Sequence, residues 1–294
     1  MIKTNITKIG DPQIVVFENK YYCYCTSSDV GFKVWVSDDL ENWSEPILCF
    51  RAIDYWGKSH FWAPEVVYHN GKFIMHYTAK DRESDSLRIG VAISSSPTGP
   101  FVDVHNKPLF DFGYAAIDAT VLVTENGNYM YFSKDCSENI IDGFHTSQIY
   151  CIRLDETLTK TIGEPILMTT PTYDFELKSG DWLWNEGPNV IKYHDKYIMN
   201  YSANCYASND YAICIAVASS PLGPWMKQSS NPVLTRNEDL FGAGHNAFFY
   251  SNNGKLMTAF AIQTDPKHPS GNRRVCIGKV DFEISDTVIK QKIY

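Results

Sequence analysis

Apolar and polar positions along the chain fall into one pattern that returns five times. A short start containing Asp, Ala-Pro, Gly-Pro or His leads into an apolar run. A tight turn rich in Asn, Asp or Gly follows, and an aromatic-rich run closes the copy. The copies are DPQIVVFENKYYCYCTS from Asp11, APEVVYHNGKFIMHYTA from Ala63, DATVLVTENGNYMYFSK from Asp118, GPNVIKYHDKYIMNYSA from Gly187 and HNAFFYSNNGKLMTAFA from His245. Each predicts a β-hairpin, because strand-forming residues flank turns such as HNGK, ENGN and NNGK. Successive copies start roughly 50 to 70 residues apart, at or somewhat above the period of propeller blades.

The segments between the copies also repeat. FKVWVSDDLENWSEP, RIGVAISSSPTGPF, QIYCIRLDETLTK, AICIAVASSPLGPW and RRVCIGKVDFEIS each predict a third strand leading towards a fourth. In SSPTGPF and SSPLGPW, Pro and Gly set the turn between those strands. Helical periodicity is absent. The pattern predicts an all-β chain, a five-bladed β-propeller with four antiparallel strands per blade. Five such blades fill residues 1–294 as a single catalytic domain.

Composition narrows the partners. The chain of 294 residues is 44% hydrophobic, enough for a sizeable core, and carries a formal net charge of -8. That charge argues against nucleic acid or an anionic membrane surface as a partner, since both call for a basic face. A neutral carbohydrate makes no such demand. Aromatic residues make up 14% of the chain; they suit strands, and flat rings with polar edges also suit sugars. No stretch is long and apolar enough for a transmembrane span. The opening MIKTNITKIGDPQIVVF lacks the apolar core of a signal peptide, so the expected location is the cytoplasm. The eight cysteines, several within strand-like runs, are expected to be reduced core residues.

Aligning the hairpins places Asp11, Ala63, Asp118, Gly187 and His245 at one equivalent position, the start of each innermost strand. In a propeller these starts converge on the central axis at one face. Ala63 and Gly187 indicate that the fold itself asks for nothing acidic there. Yet two copies carry Asp, one carries His, and Glu186 lies one residue before the fourth. A single Asp before a strand reads as a turn residue. Three carboxylates at one opening destabilise one another, and such crowding is tolerated where a site needs it.

The run GDPQIVVFENKYY, then FWAPEVVYHNGKFIMHYTA, AIDATVLV and NEGPNVIKYHDKYIMNYSA, in this order, resembles glycoside hydrolase family 43. The resemblance implies a five-bladed propeller acting as a β-xylosidase, α-L-arabinofuranosidase or arabinanase with inversion. It makes Asp11 the general base, Glu186 the general acid, and Asp118 the group that orients the acid and tunes its pKa. Inversion places the two carboxyl groups roughly 6.5 to 9.5 Å apart, leaving room for the attacking water. Glu186 must hold a proton near neutral pH, so its pKa should be raised, with Trp182 and Trp184 adding desolvation.

The same resemblance places Arg273 against the sugar next to the cleaved bond, while Arg274 falls on the opposite strand face. It sets His245 beside a bound calcium ion, through water; a hydrogen-bonded structural His is the other reading, because calcium prefers oxygen ligands. No cofactor is required, and a structural calcium is the one metal implied. Phe61 and Trp62 sit at the mouth of the second repeat as candidate sugar platforms. Trp35, Trp43 and Trp225 lie in outer strands and read as packing residues. His60 and His145 have no metal-ligand partner at suitable spacing. The expected substrates are arabinofuranosyl or xylosyl linkages in plant hemicellulose or arabinan oligosaccharides. Xylosidases of the family commonly carry an added C-terminal β-sandwich, and the end of this chain soon after the fifth copy tilts the expectation towards arabinose. The alternatives are a propeller glycosidase on fructan or galactan, and an inactive carbohydrate-binding propeller.

Overall fold

The computed structural model describes residues 1–177, 180–285 and 288–294. The chain is all-β. Among the described residues the only helical elements are two short 3-10 turns, Ala52–Asp54 and Asp174–Leu177, and no helix is long and apolar enough to cross a membrane.

Every hairpin predicted from the sequence forms. Ile2–Phe17 pairs with Lys20–Thr26, then Phe32–Ser37 and Ile47–Phe50. Gly57–His69 pairs with Lys72–Asp81, then Leu87–Ser94 and Val102–Asp103. Ala116–Thr124 pairs with Gly127–Lys134, then Phe144–Leu154 and Thr161–Thr169. Trp182–Tyr193 pairs with Lys196–Ala203, then Ala212–Ala218 and Met226–Lys227. Gly244–Tyr250 pairs with Leu256–Gln263 and then Arg273–Ile284. These ladders are antiparallel; the opening of Trp182–Tyr193 also runs parallel to His145–Ser147.

One irregularity recurs in all five hairpins. The register shifts between Gly10 and Gln13, Trp62 and Glu65, Tyr131 and Ser133, Glu186 and Asn189, and Gly244 and Ala247. At or facing each shift stands the aligned residue with positive φ: Asp11 (54°), Ala63 (43°), Asp118 (58°), Gly187 (54°) and His245 (45°). A bulge adds a residue and re-aims the side chain. For a residue with a Cβ this backbone costs about 1–2 kcal/mol, so neighbours must hold it. A hydroxyl on the preceding hairpin does so four times. Thr26 Oγ1 accepts the Ala63 N–H (2.8 Å), Thr78 the Asp118 N–H (3.1 Å), Ser133 the Gly187 N–H (3.2 Å) and Ser202 the His245 N–H (2.7 Å). In the fifth hairpin, whose turn is longer, the equivalent position opposite Gly244 is Ala261, which has no hydroxyl. There the join is made by Ile2–Ile9 pairing with Arg273–Ile277.

Facing ladders bury aromatic cores between them. Phe61 belongs to one of these, only 2% exposed, and meets Phe32 edge to face at 6.4 Å. The expectation that Phe61 stacks on sugar is therefore corrected: it is a core residue. Trp62, next along the chain, is half-buried and lies 4.9 Å from the His60 ring. Trp35 and Trp43 are buried, as expected, and Trp225 packs edge-on against Tyr131. Seven of the eight cysteines are buried and all are free thiols.

Candidate active site

The starts of the five hairpins meet around one small space lined by Asp11, Ala63, Asp118, Pro188 and His245. Just inside it, the third residue of four copies crosses to the next hairpin. Gln13 bonds both backbone groups of Val66 (2.8 and 3.0 Å), Thr120 donates to Glu65 Oε1 (2.8 Å), Asn189 donates to Thr120 (3.1 Å), and the Phe248 N–H donates to Asn189 (2.9 Å). A polar ring of this kind, with its members satisfied, gives the site a rigid floor.

Asp11 sits on that floor in a nest of donors. Arg273 Nη2 donates to Oδ1 (2.9 Å), Thr26 donates to Oδ2 (2.6 Å), and His245 Nδ1 lies 3.2 Å from Oδ1. Burial works to raise its pKa, but Arg273, His245 and the Thr26 hydrogen bond outweigh burial and lower it to about 2. Thr26 thus serves twice, holding Asp11 and the neighbouring Ala63 backbone. The Arg273 guanidinium lies over Gly10, where an added Cβ would come within 2.1 Å of Nη2. Arg273 is 4% exposed, and its guanidinium carbon lies 5.2 Å from the centre of the Tyr206 ring. Arg273, and not the adjacent Arg274, hydrogen-bonds Asp11, so Arg273 is the arginine at the site.

Glu186 has the opposite electrostatics. It is buried, and Tyr211 Oη donates to its Oε1 (2.9 Å). Burial raises its pKa to about 8; the Tyr211 hydrogen bond lowers it, and the charges of Asp135 and Asp11 raise it. Tyr211 is packed so tightly under Gly244 that a Cβ there would stand 2.1 Å from the ring. Asp118 joins the two halves of the site: its Oδ2 accepts the N–H of Gly187, the residue after Glu186, at 3.1 Å. Its pKa also rises to about 8, through burial and, against His245, the charges of Glu186, Asp11 and Asp135.

The structure therefore brings Asp11, Asp118, Glu186, His245 and Arg273 together and places Trp62 outside them on the second hairpin. Sequence reasoning missed Asp135, Tyr211, Thr26 and Tyr206. Thr26 carried a signal, since the aligned position is Thr, Thr, Ser and Ser in four copies. Asp135 and Tyr211 lie in the unequal connections between strands, where the alignment has no purchase. Calcium takes about six to eight oxygens. Among the described residues no three His, Cys, Asp or Glu side chains gather at metal-binding spacing, and His245 Nδ1 turns to Asp11. The residues around His245 do not fit a directly ligated calcium.

Three comparisons bear on this site. Residues 6–288 match the model of the glycosyl hydrolases family 43. A xylosidase/arabinosidase of Bacteroides ovatus is 28% identical over 258 residues, covering 75% of this chain and 77% of its own. Among solved structures, a thermostable family-43 glycoside hydrolase is 43% identical with a TM-score of 0.93, over 99% of this chain and 96% of its own. An endo-1,4-beta-xylanase of Bacteroides thetaiotaomicron is 30% identical with a TM-score of 0.84, over 100% of this chain and 97% of its own.

Proposed function

The chain belongs to the glycosyl hydrolases family 43 and is a glycosidase; on that premise we propose that it cleaves arabinofuranosyl or xylosyl linkages in hemicellulose or arabinan oligosaccharides, with inversion. The observation that carries the reading is the contrast between two carboxyl groups at one opening: Asp11 held by Arg273, Thr26 and His245, and Glu186 buried against the Tyr211 hydroxyl. Asp11, held ionised from about pH 2 upward, is the general base that takes a proton from the attacking water. Glu186, held protonated up to about pH 8, is the general acid that gives its proton to the leaving oxygen. Titratable groups pushed apart in this way divide acid and base roles at neutral pH. Because the Tyr211 hydroxyl donates to Oε1 of Glu186, the acid's own proton belongs on Oε2, free to face the glycosidic oxygen.

Asp118 is a positioning residue in this scheme. Through the Gly187 N–H it fixes the peptide that carries Glu186. Arg273 holds Asp11 ionised and, in this reading, meets the sugar on the non-leaving side, with Trp62 as a ring at the mouth. The chemistry rests on the protein's carboxyl groups and calls on no cofactor. The repeated hairpins, their common bulge and the shared space at their starts support a five-bladed propeller formed by the whole chain as a single catalytic domain. The names of the relatives support pentose as the sugar, and the net charge of -8 suits a neutral substrate.

Hydrolysis of 4-nitrophenyl α-L-arabinofuranoside and β-D-xylopyranoside tests the reading, with the anomer released followed by NMR. Turnover of one of them with inversion is expected; no turnover of any pentoside from acid to neutral pH, or retention of configuration, overturns it. The roles separate by leaving group. Glu186→Gln should slow sugar leaving groups far more than nitrophenyl ones, because a good leaving group needs little protonation, whereas Asp11→Asn should slow both alike.

A further inference from the structure

The strand that carries Glu186 opens with two tryptophans at two-residue spacing from it, Trp182 and Trp184. Side chains alternate along an extended strand, so all three share one face. The rings agree: Trp182 and Trp184 stack at 6.1 Å with planes 22° apart. Trp182 is backed by the His145 ring from the neighbouring parallel strand, at 4.1 Å and 5°. His145 is fixed in turn, its ring Nδ1 hydrogen-bonded to the Cys136 carbonyl (2.9 Å) and its backbone N–H donating to the Asp181 carbonyl (2.9 Å). None of the three belongs to a core cluster among the described residues, and Trp182 is 38% exposed.

We propose that His145, Trp182 and Trp184 form the leaving-group subsites of the enzyme, a platform for the sugar units on the departing side of the scissile bond of a neutral pentose oligosaccharide. The inference rests on Glu186 being the general acid. The acid stands beside the leaving oxygen, so the rings on its own strand face lie on the departing side and not on the side of the sugar that Asp11 attacks. At about 3.3 Å rise per residue, the two tryptophans lie about 7 and 13 Å from Glu186 along the strand. A platform of that length is longer than the first departing sugar and favours substrates with two or more units beyond the cleaved bond. Rings with an apolar face and a polar edge match such units, and ligand sites are built from rings of this kind with a few polar groups. Continuity with Glu186 favours sugar over a protein partner for this exposed patch.

The test compares xylotetraose and α-1,5-linked arabinotetraose with β-xylosyl and α-L-arabinofuranosyl fluoride, which have no sugar on the departing side. For Trp182→Ala in the full chain, kcat/KM on the better tetrasaccharide should fall about tenfold more than on the matching fluoride, the loss expected when an anchoring ring is truncated. Trp182→Phe, which keeps a flat face, should recover most of the difference. Equal losses on both substrates, with the wild-type thermal midpoint retained, overturn the platform, as does an unchanged tetrasaccharide rate. A wild-type protein that cleaves the fluoride but shows no preference for tetrasaccharide over disaccharide also overturns it, while leaving the glycosidase reading intact. A wild-type protein that cleaves neither kind of substrate overturns both.

Discussion

Replacing Glu186 by Gln removes one titrating proton from the site while keeping an oxygen to accept the Tyr211 hydroxyl. In the folded chain Glu186 holds its proton up to about pH 8, against 4.5 for an ordinary glutamate. Between these two values the unfolded chain has released the proton and the folded chain has not, so folding takes up a proton. Stability from this group is then full below pH 4.5 and declines as pH rises, by about 1.4 kcal/mol per pH unit. The decline ends near pH 8, where the folded chain also ionises. Gln is neutral at every pH and escapes it. Glu186→Gln should therefore match the wild type at pH 4 and exceed it by about 3 kcal/mol at pH 7. For a chain of this size that corresponds to about 5 °C or more in thermal midpoint. Thermal unfolding of both proteins at pH 4, 5.5, 7 and 8, followed by circular dichroism, reads the difference directly and needs no substrate. A gain independent of pH, or one larger at pH 4 than at pH 8, would refute the buried-acid account of Glu186.

Two further outcomes follow from the same geometry. Arg273 is the largest of the influences that lower Asp11, so Arg273→Met raises the Asp11 pKa; the acid limb of kcat/KM should move to higher pH, and a limb that stays in place counts against Asp11 as the base. Away from the site, Lys227 Nζ pairs with the fully buried Glu176 at 2.7 Å and bonds the Thr170 carbonyl at 2.7 Å, tying down the segment that precedes Trp182. Lys227→Met should cost about 3–5 kcal/mol in urea unfolding, because it strands a buried charge, and adding Glu176→Gln should recover part of that loss.

Much of the fold and part of the site were legible in the chain. Alternation at period two and turns such as HNGK and NNGK depend on neighbours within a few residues, so each hairpin could be read locally. The repeat then exposed its own exceptions: Asp11, Asp118 and His245 stood out because Ala63 and Gly187 occupy the same place. The hydroxyl of Thr26, Thr78, Ser133 and Ser202 was equally visible as a recurring letter, though its partner, the bulged N–H of the next hairpin, was not.

What the local pattern could not decide was direction and convergence. Phe61 and Trp62 are adjacent aromatics, and only packing between ladders reveals that Phe61 turns into the core and Trp62 does not. Asp11 and Asp118 are the same residue at the same position of the same repeat, one mostly buried and one buried, yet the first is lowered to about 2 and the second raised to about 8. The difference is made by Arg273, which reaches Asp11 from 262 residues away, while Asp118 faces Glu186 and Asp135 with no arginine of its own. The repeat determined which residues would stand around the shared opening. Their charges were decided by the tertiary structure, because a pKa depends on which groups lie within a few ångströms in space, and those groups come from segments far apart in the chain.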